Sequence, residues 1–339
     1  MMEEKRKNPP NKTNQYLLTI FAFLLAAILL WVVLRSMDWR TFWSILSNGN
    51  YAILFLSIPI SSANYYLRAF RWHILVKSDS KIKVPMVFWA NMVGYLGNAY
   101  LPARAGEVIR SAYLGKKSGA GTSFIFATAL VERLMDAIAL VIIGSISVLL
   151  LSQISVLLAG AVKIMAIAGT VGLVIVIVVP FQEKLISGLI DRLPLPADLR
   201  QKITQQIARF LVGMRSLHDV RRLSSFILLT AIIWLIDGLA NMVGVRIISQ
   251  TLTLGQSLIL LAALGLSSAI PSTPGYIGVY QFVAVSVLVP FGFSPPAALA
   301  YILISQVANY LVISFWGLIG LWQVNRIQPG NGTETINGS

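Results

Sequence analysis

The sequence has no cysteine and only two histidines, His73 and His218, among 339 residues. Thiol redox chemistry and cysteine-type zinc sites are therefore excluded, and little is left for a histidine metal site or a Ser/His relay. Charge is scarce too. Asp, Glu, Lys and Arg make up 12% of the chain, about half of the roughly 25% usual in soluble proteins. Acidic residues are the scarcer sign, 13 against 27 basic, giving a net charge of +14. No Walker-type phosphate loop occurs, so nothing in the sequence points to nucleotide hydrolysis through one. No metal-ligand cluster and no nucleophile paired with a base is visible, so neither an enzyme activity nor a cofactor is expected.

Apolar side chains fill the rest. They make up 56% of the residues, and the mean hydropathy is +0.75. A soluble fold cannot hide that much apolar surface beneath so few charges. The expected fold is all-α, a polytopic membrane helix bundle. Its excess of basic residues fits membrane topology and anionic lipid headgroups rather than nucleic acid.

Six apolar runs are long enough to cross a hydrocarbon core of ~30 Å: 16–34, 51–72, 122–151, 154–180, 223–248 and 297–324. Two further regions read as broken or re-entrant hairpins. Segment 84–101 carries Asn91, Gly94, Gly97 and Asn98, ends at Pro102, and has basic residues on both flanks. A re-entrant path keeps both basic flanks on one side. Segments 258–270 and 276–289 are each too short to cross and are joined through Pro271-Ser272-Thr273-Pro274-Gly275. Residues 181–222 form the longest polar stretch and read as an amphipathic cytoplasmic helix near the bilayer. Basic residues gather at the N-terminus and in 68–83, 104–117 and 181–222, which places these segments and both termini in the cytoplasm of a multi-pass cell-membrane protein. The domain expectation is a tail at 1–15, a membrane domain at 16–324 and a second tail at 325–339. Small-residue helix faces are compatible with a homodimer but do not select one.

An ionised side chain at the bilayer centre costs at least ~2.5–3.5 kcal/mol, so each embedded charge needs a reason. Glu132 and Asp136 are four residues apart and share a helix face, with Arg133 about 100° around the helix. They line a polar cavity or form an ion-paired knot between helices. Around the break at Pro102, Arg104 and Arg110 are candidates for a lipid phosphate, because a guanidinium fork matches phosphate oxygens. Glu107 would orient one of them or meet a cationic headgroup. Arg68 and Arg71 share one face at the cytoplasmic boundary, as snorkelling anchors or phosphate contacts. Asp237 lies mid-span and should be paired or protonated. In the second hairpin, a helix starting after Pro274-Gly275 would aim its amides and positive dipole end at the turn, as an anion site inside the membrane.

Three stretches together resemble a known family: Asn98-Ala-Tyr-Leu-Pro-Ala-Arg-Ala-Gly-Glu-Val-Ile-Arg110, Glu132-Arg-Leu-Met-Asp136 and Pro271-Ser-Thr-Pro-Gly-Tyr-Ile-Gly278. The pattern is similar to the transmembrane region of lysylphosphatidylglycerol synthases, a flippase-like family, over about residues 15–325. The resemblance implies a lipid transporter. Its substrate-binding residues would be Arg68, Arg71, Asn98, Arg104, Glu107, Arg110, Glu132, Arg133 and Asp136. Pro102, Pro271, Pro274, Gly275, Gly278 and Gln281 would form gates or turns. In bifunctional members a separate soluble domain makes the lipid. This sequence has no room for one, so no transferase activity is expected, and a separate lipid synthase is the implied partner. The family often has an acidic residue at the position of Gln281, which here can carry neither charge nor proton.

Overall fold

The computed structural model describes residues 12–35, 37–76, 82–101, 104–150, 219–268 and 273–326, with scattered positions between 167 and 208. Among the described residues the chain is helical, with no strand. The elements are α1 (Lys12–Leu34), α2 (Trp39–Ser47), α3 (Ala52–Val76), α4 (Val84–Tyr100), α5 (Ala105–Ser118) and α6 (Thr122–Leu149). They continue as α7 (Val220–Gly244), α8 (Leu254–Ser267), α9 (Val279–Leu288) and α10 (Pro295–Arg326).

Among the described residues, three stretches are long and apolar enough to cross a membrane: Val220–Ile248, Pro274–Phe291 and Pro295–Gln323. Helices α1 and α2 would qualify as a pair but meet at 90°. The six full spans expected from sequence are therefore met in part. Helices α3 and α6 are 25 and 28 residues long, but Arg68, Arg71, Glu132, Arg133 and Asp136 interrupt their apolar surface. Most of the expected span at 154–180 and most of the amphipathic segment 181–222 lie outside the described residues, as do Pro102, Pro271 and His218. Segment 276–289, too short to cross by the sequence reading, lies within Pro274–Phe291. That stretch reaches span length when the 3-10 turns flanking α9 are included, although its backbone breaks at Gly275 and Gly278, both at positive φ.

Among the described residues two large apolar cores hold the bundle, with a smaller one of Leu140, Trp234 and Ala262 between α6, α7 and α8. One packs Trp72 and Leu75 of α3 against Val87 and Met92 of α4, Leu114 of α5, Ile125 of α6 and Phe226 of α7. The other packs Phe42 of α2 against Leu260 of α8, Leu288 of α9 and Leu299 of α10. Full burial of such side chains stabilises by about 1.5–3 kcal/mol each.

Helices α4 and α5 form a tight hairpin because glycines line their seam. A Cβ on Gly106 would strike the carbonyl oxygen of Gly94, and one on Gly97 would come within 2.8 Å of Gly106 Cα. The chain reverses at Arg104, which takes φ 53°, ψ 37°. A non-glycine residue in this left-handed region costs of order 1–3 kcal/mol and persists only where its surroundings fix it. Helices α8 and α9 also pack against each other, with α8 on α6 and α9 on α10 and α1. Their connection holds a second non-glycine residue at positive φ, Tyr276 at 59°.

Candidate functional site

Helices α3, α5 and α6 bring six charged side chains into a closed ring. Arg71 grips Asp136 through two bonds, Nη1 to Oδ1 at 2.6 Å and Nη2 to Oδ2 at 3.0 Å. Its Nη2 also donates to Glu132 Oε1 at 3.0 Å. The other Glu132 oxygen lies 3.0 Å from Arg110 Nη1. Arg110 Nη2 is 2.6 Å from Glu107 Oε2, and Glu107 Oε1 accepts from Arg133 Nε at 2.8 Å. Arg133 Nη1 closes the ring at 3.8 Å from Asp136 Oδ2. Signs alternate around it, three arginines with three carboxylates, so the ring is neutral.

Helical spacing supplies half of this geometry. Glu107 and Arg110 are i,i+3 on α5, and Glu132 and Asp136 are i,i+4 on α6. Neutral partners complete it: Arg71 donates to Thr230 Oγ1 at 3.2 Å and Arg110 to Asn91 Oδ1 at 2.7 Å. The Arg110 guanidinium lies over the Trp72 ring, 4.3 Å from its centroid. A separate pair sits beside the ring. Arg68 Nη2 and Asn64 Nδ2 each donate to Asp237 at 2.5 Å.

Beside these charges lies a cavity of about 650 Å³, within the roughly 300–1,000 Å³ typical of small-molecule sites. The sequence-predicted residues divide on it. Asn98, Arg104, Glu107, Arg133 and Asp136 line it, as do Arg68 and Asp237. Arg71, Arg110 and Glu132 do not. Each of the three is at most 1% exposed, sealed behind the cavity wall. The expectation that Arg110 meets a lipid phosphate therefore does not match its position, because its guanidinium is already held by two carboxylates and an amide.

Arg104 is placed differently. Its Nη2 donates to Ser268 Oγ at 2.8 Å and its Nε to the Tyr276 hydroxyl at 3.4 Å. No ion pair involves it among the described residues. It stands at the tip of the α4–α5 hairpin and touches the tip of the α8–α9 hairpin. Two of the three non-glycine residues at positive φ among the described residues, Arg104 and Tyr276, thus meet across the cavity.

The second hairpin carries no charge into the site. Tyr276 and Tyr280 stack with ring centroids 4.7 Å apart and line the cavity. Behind them Gly275 O accepts from Gln306 Nε2 at 3.1 Å and from the Tyr310 hydroxyl. Gln281 is buried and lines no part of the cavity. Its Oε1 accepts from Gly278 N at 2.6 Å, and its Nε2 donates to Gln306 Oε1 at 2.5 Å. The expected anion site at the start of α9 is therefore closed. The Gly278 amide is capped by the helix's own Gln281, and a Cβ on Gly278 would meet the Ala26 backbone at 2.5–3.0 Å. An ionised carboxylate at 281 could accept from Gly278 but could not donate to Gln306.

Sequence reasoning missed several residues around the site: Asn64, Tyr95, Ser268, Tyr280, Gln306 and Asn309. Amides inside apolar runs were a readable signal, since Asn64, Gln306 and Asn309 sit in otherwise lipid-like stretches. Among the described residues no group of three or more His, Asp or Glu is placed to hold a metal ion.

These features define a helical membrane protein with a charged internal cavity between two hairpins. Residues 19–317 match the family described as the lysylphosphatidylglycerol synthase TM region, and the chain belongs to that family. No curated protein matches the chain.

Proposed function

We propose that this protein moves a lipid between the leaflets of the cell membrane. The headgroup occupies the cavity between the two hairpins while the tails stay in the bilayer. One observation carries this reading: a cavity of about 650 Å³, walled by arginines and carboxylates, inside an apolar bundle from a lipid-related membrane family. Charged side chains at membrane depth are costly and by default mark a site or path for a polar ligand. In this reading Arg104 contacts the lipid phosphate, and Arg71 and Arg110 position the carboxylates that shape the wall. The two hairpins enter from opposite faces, six spans surround them, and both termini and the basic segments lie in the cytoplasm. The lipid is made elsewhere, by a separate synthase, and leaves chemically unchanged.

The test is reconstitution of the full chain into vesicles holding a headgroup-labelled phospholipid, followed by a membrane-impermeant quencher. Label from the inner leaflet should become accessible faster than in protein-free vesicles. Equal rates would overturn the transport reading. A new lipid product in the same vesicles would point to a membrane enzyme instead.

A further inference from the structure

We infer that the cavity selects a headgroup with one net negative charge, a single phosphodiester whose remaining groups are uncharged and hydroxyl-bearing. This rests on the headgroup reading above and goes beyond it by naming the charge class. The described residues include six carboxylates. Asp38 and Asp219 cap α2 and α7, away from the site. The other four, Glu107, Glu132, Asp136 and Asp237, are each bound to at least one arginine. They face five arginines: 68, 71, 104, 110 and 133. Counted over the described residues with these groups ionised, the ring and the Arg68–Asp237 pair are each neutral, which leaves one positive charge over, that of Arg104.

Arg104 spends its guanidinium on two neutral hydroxyls, Ser268 and Tyr276. A phosphodiester oxygen is the stronger acceptor, because hydrogen bonds between charged partners are about twice as strong as neutral ones. One phosphodiester would neutralise the site. A dianion would overcharge it, and a cationic headgroup would leave it at least as positive as before. The remaining polar lining is made of hydroxyls and amides: Tyr276, Tyr280, Asn98, Asn309 and Ser305. These groups suit glycerol or sugar hydroxyls. A headgroup ammonium would need a carboxylate, and the three that line the wall already hold arginines. Extracting one would strand a buried guanidinium.

The shared chemistry fits two sources, a glycerophospholipid such as phosphatidylglycerol or a polyprenyl phosphodiester of a neutral sugar. Native mass spectrometry of the full chain in detergent would separate them. The probes are phosphatidylglycerol, a polyprenyl-phosphoryl hexose, zwitterionic phosphatidylethanolamine and cationic lysylphosphatidylglycerol. At least one of the first two should bind about tenfold more tightly than either of the last two, and the preferred one names the source. Arg104→Gln should erase that preference and Arg104→Lys should keep most of it, so a misfolding Gln variant still leaves the Lys variant and the wild-type ranking as tests. Tightest binding of the zwitterionic or cationic probe would overturn the charge class while leaving a headgroup site in place. Equal binding of all four would overturn the site itself. An unchanged preference in Arg104→Gln would remove Arg104 as its origin.

Discussion

The two hairpins that meet at the cavity are built from opposite chemistry. The α4–α5 hairpin is held by glycine contacts and carries Arg104 and Glu107 to the cavity wall and Arg110 into the ion-pair ring behind it. The α8–α9 hairpin carries no charge and ties its turn with amides and phenols: Gln281, Gln306 and Tyr310. The charged hairpin depends on its neighbours, since Glu107 reaches Arg133 and Arg110 reaches Glu132, both on α6. The uncharged hairpin satisfies its turn from within itself and from α10. The charged hairpin adds partners on α6 to its own Glu107–Arg110 pair, whereas the neutral turn is closed by its own Gln281 together with Gln306 and Tyr310 of α10.

The sharpest way to test this contrast is Glu132→Ala. Both Glu132 oxygens hold arginines that are at most 1% exposed. Removing one partner of a buried ion pair costs about 3–5 kcal/mol, so thermal unfolding in detergent should drop further than for any change in the second hairpin. There the counterpart is Gln281→Leu, which leaves the Gly278 amide and Gln306 Oε1 without their partner at about 1–3 kcal/mol. Equal losses would erase the distinction.

Next comes the glycine seam. Gly106→Ala drives a methyl group into the Gly94 carbonyl and should cost about 1–3 kcal/mol through overpacking. The smallest effect, with the opposite sign, is expected for Gly255→Ala in α8. Nothing lies within 4 Å of its Cβ position, and alanine favours helix over glycine by up to ~1 kcal/mol. A stabilising Gly106→Ala would mean that the seam is looser than its contacts indicate.

Much of the first hairpin was legible in the sequence. The glycines, the proline and the doubled basic flanks placed a break after residue 101, and α4 ends at Tyr100. The spacing of Glu132 and Asp136 placed both on one face, and both clasp Arg71. That Arg71 would be their partner was not legible, because it lies on α3, 61 and 65 residues away. Arg68 and Arg71 look alike as boundary arginines, yet they serve different acids. Arg104 and Arg110 look equally suited to a phosphate. Only the backbone turn at Arg104 sets one facing the cavity and leaves the other sealed. In the second hairpin the sequence placed the turn within 271–278 but not its closure, which depends on where Gln281 and the Ala26 backbone come to lie.

The closed ring has a consequence for how this site can vary. Six alternating charges have even parity, so any single sign lost leaves an odd charge buried among helices. Substitutions there are expected to be tolerated in adjacent opposite pairs, such as Glu107 with Arg133, rather than alone. Arg104 lies outside that parity. Among the described charges of the site that stand apart from any ion pair, it is the position where one substitution can retune the cavity without a second to balance it.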